Sequence, residues 1–278
     1  MILSLITILS DKNSYAEIFS LENHIDGFGW SMGISSTNNE IFIADGIRNE
    51  ILIFNASNYD FIKRISLQEN NCKGHIHGMD IMNQIIYVVK QYHKTDQEKF
   101  CVGVFNLSGE FVTEFGSEGS EEGEFKDIQN IEIFKDRIYV TDTGNHRIQI
   151  FDLSGEFVTE FGSEGSEEGE FGGIMGIKVE KQHIFVVDGK NHRIQIFDLS
   201  GEYIEKIENE FKTPHQILII QEKILVLDTY NYQIKIFSGF NQLVHENNDT
   251  IIILIIFMIV SITLFVFLKR KSIISVEK

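Results

Sequence analysis

The chain has 278 residues, 43% of them hydrophobic, enough to bury a full-sized core in one large domain or two small ones. Asp and Glu number 41 against 24 Lys and Arg, and the net charge of -17 repels phosphate backbones, which with no basic patch in the sequence argues against a nucleic-acid partner. Two cysteines, Cys72 and Cys101, are too few for a disulfide-rich scaffold or a structural zinc site, and leave one bridge or none.

Residues 1–9 (MILSLITIL) form an apolar run, and Ser14-Tyr15-Ala16 places small residues where a signal peptidase cuts. Residues 1–16 therefore read as a signal peptide, with a first buried strand as the alternative, since no Lys or Arg precedes the run. Residues 17–240 are organised by a repeat. NHRIQIFDLSGE occurs at Asn145 to Glu156 and again, identically, at Asn191 to Glu202, a period of 46 residues. Phe105 to Phe125 recurs from Phe151 to Phe171 with one change, Asn106 to Asp152, and weaker copies end at Phe54 and Phe237, giving five units.

Each unit reads as four short strands separated by Asp, Gly, Asn and Ser turns, as in GIKV, HIFVVD, RIQIF and EFVTEF. Apolar residues alternate at period two, which excludes a helical solenoid, and four strands per repeat describe a propeller blade. The predicted class is all-β, a ring of five blades, or six with one degenerate. A ring must close, and Ala16 to Leu21 (AEIFSL) resembles a fourth strand able to complete the last unit.

After a short linker at 241–250, residues 251–268 (IIILIIFMIVSITLFVFL) are uncharged and almost wholly apolar, roughly 27 Å as a helix and thus long enough to span a bilayer. Lys269, Arg270 and Lys271 follow at once. The positive-inside rule makes 269–278 a basic cytosolic tail and puts the acidic bulk outside, a single-pass protein of the cell membrane.

Val140 to Gly162 (VTDTGNHRIQIFDLSGEFVTEFG) resembles the NHL-repeat family, whose blades carry a V-x-D-x-x-N-H-R-I-x-x-F core and a following glycine-rich loop. The resemblance covers roughly Ala16 to Phe237 and weakens in the first two units, where Arg48, Asn49 and Glu50 replace Asn-His-Arg and Lys90 replaces the Asp. It implies a propeller that presents loops to a protein, peptide or glycan ligand, and the acidic field favours a basic one.

The recurring set Asp142, Asn145, Arg147 and Asp188, Asn191, Arg193 reads as a turn-holding motif rather than a catalytic group, because it repeats from unit to unit. The glycine-rich acidic loops Glu118 to Glu124 and Glu164 to Glu170 lack the alternating oxygen ligands of a calcium loop and read as a solvated face. Taking Gly176 as the register, the preceding residue in the five first strands is Met32, His77, Gln129, Met175 and His215, a candidate ring of channel-lining ligands. Imidazole suits zinc or copper and thioether suits Cu(I). Some enzymes similar to this family hold zinc with channel histidines, so the resemblance implies His77 and His215 as candidate metal ligands, and a propeller lyase or hydrolase as the alternative to a binding platform without a cofactor. No nucleophile elbow, zinc-protease or phosphate-loop motif is present.

Overall fold

The computed structural model describes residues 31–238 except 38, 59, 69–70, 95–96, 209, 221–222 and 232, all within the unit Gly29–Ile255. The predicted signal peptide 1–16, the linker 241–250, the apolar run 251–268 and the tail 269–278 lie outside the described residues. No helix among the described residues is long and apolar enough to cross a membrane.

Five antiparallel sheets follow one another along the chain. The first is β1 (Ser31–Ser36), β2 (Glu40–Asp45), β3 (Glu50–Asn55) and β4 (Phe61–Ser66), and the second is β5 (His75–Met82), β6 (Ile85–Lys94), β7 (Gln97–Asn106) and β8 (Phe111–Phe115). A small parallel pair, β9 (Ser117–Glu118) and β10 (Glu124–Phe125), leads into the third sheet, β11 (Ile128–Phe134), β12 (Arg137–Asp142), β13 (Arg147–Asp152) and β14 (Phe157–Phe161). The pattern repeats with β15 (Ser163–Glu164) and β16 (Glu170–Phe171), then β17 (Ile174–Glu180), β18 (His183–Asp188), β19 (Arg193–Asp198) and β20 (Tyr203–Glu208). The fifth sheet contains β21 (Pro214–Ile220), β22 (Lys223–Asp228) and β23 (Gln233–Ser238). Four sheets thus have four strands and the last has three among the described residues; the proposed fourth strand at 16–21 lies outside them.

Within each sheet the chain runs from first to last strand by tight hairpins, which is why alternation rather than helical spacing marks the sequence. The middle strands β13 and β19, both RIQIFD, are buried on both faces, whereas the outermost β14 and β20 carry exposed Val158 and Ile204. In the turn after β13, the Asp152 carboxylate accepts hydrogen bonds from the Ser154 and Glu156 amides at 2.8 and 3.0 Å, and Asp198 does the same after β19 with Ser200 and Glu202.

Neighbouring sheets touch through their first strands, in the order β1, β5, β11, β17, β21. Glycine sets the spacing of this wall. A Cβ on Gly78 would lie 2.9 Å from Asn130 Cα, and one on Gly176 would lie 2.8 Å from the His215 carbonyl oxygen, so any larger residue would push two blades apart. Between sheets the abundant phenylalanines form the seams: Phe151 stacks at 4.9 Å on Phe115 and 5.6 Å on Phe125, and the next unit repeats the contact with Phe197 against Phe161 and Phe171 at 4.8 and 5.7 Å. Phe125, Phe151 and Phe171 are almost fully buried, so these rings close the gap between twisted sheets that backbone pairing cannot close.

Candidate functional site

Every first strand carries a β-bulge around the predicted channel position. Register shifts fall between Ser31 and Gly33, Ile76 and Gly78, Ile128 and Ile131, Ile174 and Gly176, and Pro214 and Gln216. Met32, His77, Gln129, Met175 and His215 are therefore residues at or within a bulge, which re-aims a side chain without breaking the sheet. Gln129 donates to Asp127 Oδ1 at 2.6 Å, and burial pushes the His215 imidazole below its usual range. His77 stands on β5 and His215 on β21, and in the order of first strands β11 and β17 come between them. Among the described residues no group of three or more His, Cys, Asp or Glu is placed to hold a metal ion.

Three residues further along the same strands lies a polar ladder not singled out by motif: Ser35, Asp80, Glu132 and Lys178, with Leu218 in the fifth sheet. Ser35 Oγ donates to Asp80 Oδ1 at 2.7 Å, the Ile133 amide donates to Asp80 Oδ2 at 2.8 Å, and Lys178 Nζ donates to Glu132 Oε1. Burial pushes Glu132 up to about 7 against the pull of Lys178, with the Asp80 charge pushing the same way as burial. Burial pulls Lys178 down, but Glu132 and Asp80 outweigh it and hold the ammonium above its usual range. The ladder joins four sheets at one level, and the register that gives the bulge ring aligns its positions without showing which of them pair.

The turn motif is a clamp on the loop that precedes its own sheet. Asp142 is fully buried; its Oδ1 accepts from the Lys126 amide at 2.8 Å, and its Oδ2 from Asn145 at 2.9 Å, Arg147 Nε at 2.8 Å and Gln149 at 3.1 Å. Arg147 then donates to the carbonyls of Glu121 and Glu124 at 2.8 and 3.0 Å and to Glu160 Oε2 at 2.8 Å, while Asn145 reaches the Gly119 carbonyl at 2.9 Å. Desolvation raises the Asp142 carboxyl, and these donors oppose it. The next unit repeats the arrangement, with Asn191 and Arg193 Nε on Asp188 Oδ2 at 2.8 and 3.0 Å and Arg193 Nη2 on the Glu167 and Glu170 carbonyls at 2.7 and 2.8 Å. Gln149 and Gln195 complete each clamp, accepting from the Gly123 and Gly169 amides at 2.8 and 2.9 Å. In the fifth sheet Asp228 and Asn231 keep the contact at 2.6 Å, and in the first Asp45 pairs with Arg48 at 2.5 Å.

These clamps hold the acidic loops 117–125 and 163–171 in one shape. Glu124 and Glu170 turn inward, each accepting two loop amides at 3.0 to 3.1 Å, whereas Glu118, Glu121, Glu122, Glu164, Glu167 and Glu168 are exposed. Lys178 meets Glu132 at matching register, and Thr143 Oγ1 donates to the Ile174 carbonyl at 2.9 Å, so the third and fourth sheets stand level and their loops open on one side. His146 Nδ1 lies 2.9 Å from the Phe171 carbonyl oxygen and fastens one clamp to the next loop.

Residues 117–211 match the model of a family described as "6-bladed beta-propeller". No curated protein matches the chain. Many solved structures do; one is the crystal structure, at 1.35 Å resolution, of a protein of unknown function from Bacteroides caccae, with a TM-score of 0.52 and 12% identity over 74% of this chain and 73% of that one. At that identity the likeness is one of fold. With the sheet order above, it makes the chain an all-β propeller of about five blades on a four-stranded plan, the last with three strands among the described residues.

Proposed function

We propose that the chain is a membrane-anchored, extracytoplasmic propeller of the NHL type whose acidic loop face binds a positively charged protein, peptide or glycan ligand. The observation that carries the reading is the pair of loops 117–125 and 163–171. Six exposed carboxylates stand on two frames that buried clamps hold rigid, in a chain of net charge -17. A preformed acidic face attracts a cationic partner from a distance and loses little entropy when it docks. The disulfide between Cys72 and Cys101 supports a site outside the cytosol, where such bridges persist. The apolar run 251–268 and the basic residues after it support the anchor. Channel chemistry has no comparable support: its two candidate ligands, His77 on β5 and His215 on β21, have β11 and β17 between them in the order of first strands, and among the described residues no third His, Cys, Asp or Glu joins them.

The test is fluorescence anisotropy of a labelled oligolysine peptide on the full chain in detergent, at ionic strengths of about 0.05 and 0.3 M. Binding should weaken with salt and fall roughly tenfold or more when Glu118, Glu121, Glu122, Glu164, Glu167 and Glu168 are all changed to Gln. Equal binding by that variant, or none by the parent at low salt, overturns the assignment of the face. Protease added to intact cells should cut the propeller; cutting confined to broken cells overturns the topology.

A further inference from the structure

The second blade departs from the clamp at both of its key positions. Strand register makes Ile76, Lys90 and Cys101 the counterparts of Ile128, Asp142 and Arg147, and of Ile174, Asp188 and Arg193. Lys90 thus occupies the place of the buried aspartate and Cys101 that of the arginine. Cys72 stands four residues before Ile76, as Glu124 does before Ile128 and Glu170 before Ile174, and those are the residues whose carbonyls the arginines hold. The Cys72–Cys101 disulfide, with its Cα atoms 5.6 Å apart, therefore joins the same two points of the blade that Arg147 and Arg193 join by hydrogen bonds.

The surroundings follow the same equivalence. Glu114 takes the place of Glu160; where Glu160 accepts from Arg147, Glu114 Oε2 accepts from the Cys72 amide at 2.8 Å. Lys90 is buried, its ammonium 5.3 Å from the centre of the Phe105 ring, and burial pulls it down to about 8 although Glu114 opposes. The cause of the departure is the β6–β7 hairpin. Between Lys90 and Cys101 it has six more residues than the turn between Asp142 and Arg147, so the short Asp-x-x-Asn-x-Arg turn has no counterpart here. The loop that Cys72 pins passes against the hairpin's root, where a Cβ on Gly74 would lie 2.1 Å from the Gln91 carbonyl oxygen.

We propose that Cys72–Cys101 is a redox-operated latch, a covalent replacement for the aspartate–arginine clamp that holds the loop 71–76 and the root of the long hairpin in this one blade. The third, fourth and fifth blades hold their loops with charge and hydrogen bonds, which reductants do not touch. A dithiol opens the latch by thiol–disulfide exchange: the S–S bond takes two electrons, both sulfurs end protonated, and the reagent leaves as its own disulfide.

Hydrogen exchange on the full chain, with and without dithiothreitol and with two free thiols counted to prove the bridge open, tests this. Amides of 71–76 and 99–103 should exchange roughly tenfold faster or more in the reduced protein, while those of 119–125 and 165–171 keep their rates. The Cys72→Ser, Cys101→Ser double variant should show the same local change without reductant, which covers a bridge too buried for the reagent to reach. A Cys72→Ala, Lys90→Asp, Cys101→Arg variant should restore protection and be indifferent to dithiothreitol. Unchanged exchange at 71–76 with the bridge open or absent overturns the latch, as does loss of protection throughout all blades.

Discussion

Replacing Arg147 by Ala tests the clamp directly. The side chain is 9% exposed and faces a carboxylate that is 0% exposed, and it makes four hydrogen bonds: to Asp142, to Glu160 and to the carbonyls of Glu121 and Glu124. Removing one partner of a buried ion pair costs about 3–5 kcal/mol, because the remaining charge stays out of water. Asp142 keeps the Lys126 amide, Asn145 and Gln149 as donors, so the lower end applies, about 3 kcal/mol. Two readouts follow. Urea unfolding should show that loss, and amides 119–125 should exchange roughly a hundredfold faster, since each 1.4 kcal/mol is tenfold. The deficit should shrink toward acid pH. Burial already raises the Asp142 carboxyl and loss of the guanidinium raises it further, so the folded variant takes up a proton there before the unfolded chain does. A second change, Asp142→Asn, should recover part of the loss by removing the stranded charge. A loss below about 1 kcal/mol with loop exchange unchanged would refute the idea that the motif holds the acidic loop.

Two further perturbations separate other features. The Glu132 carboxyl is raised from 4.5 to about 7, so the folded chain binds more protons than the unfolded one in that window and this group's contribution to stability falls as pH rises through it. Glu132→Gln should remove that downward slope; denaturation midpoints at several pH values that keep the parental slope would contradict it. Gly162→Ala forces a side chain at φ +102°, with its Cβ 2.4 Å from the buried Phe171 ring, and should cost about 2–4 kcal/mol. Gly169→Ala, at φ +81° with open space around the Cβ, should cost only about 1 kcal/mol, and equal thermal shifts for the two would show that the Phe171 seam is softer than its packing suggests.

The blade plan was legible in the sequence because each unit repeats its own punctuation, and near-identity at a period of 46 residues aligns strand with strand. The clamp residues were legible for the same reason, although Gln149 and Gln195, which repeat just as faithfully, look like ordinary strand residues until the loop they hold is seen. The polar ladder was harder to read. Ser35, Asp80, Glu132 and Lys178 share a position but not a chemistry, so no repeat pattern links them, and their pairing depends on which blades are neighbours. The equivalence of Cys101 with Arg147 was hidden by the longer hairpin, which shifts the apparent spacing until strand pairing restores it.

The near-identity of the third and fourth units has a consequence beyond folding. The outer strands β8 and β14 share the sequence FVTEF, and β13 and β19 share RIQIFD, so any segment of one period ends on the residues with which it began. Deleting or duplicating one period of 46 residues within this stretch would remove or add one whole blade and leave each hairpin, clamp and phenylalanine seam with equivalent partners. The number of blades could then change in single steps, because the repeat that makes the blade plan readable also makes each middle blade an interchangeable piece.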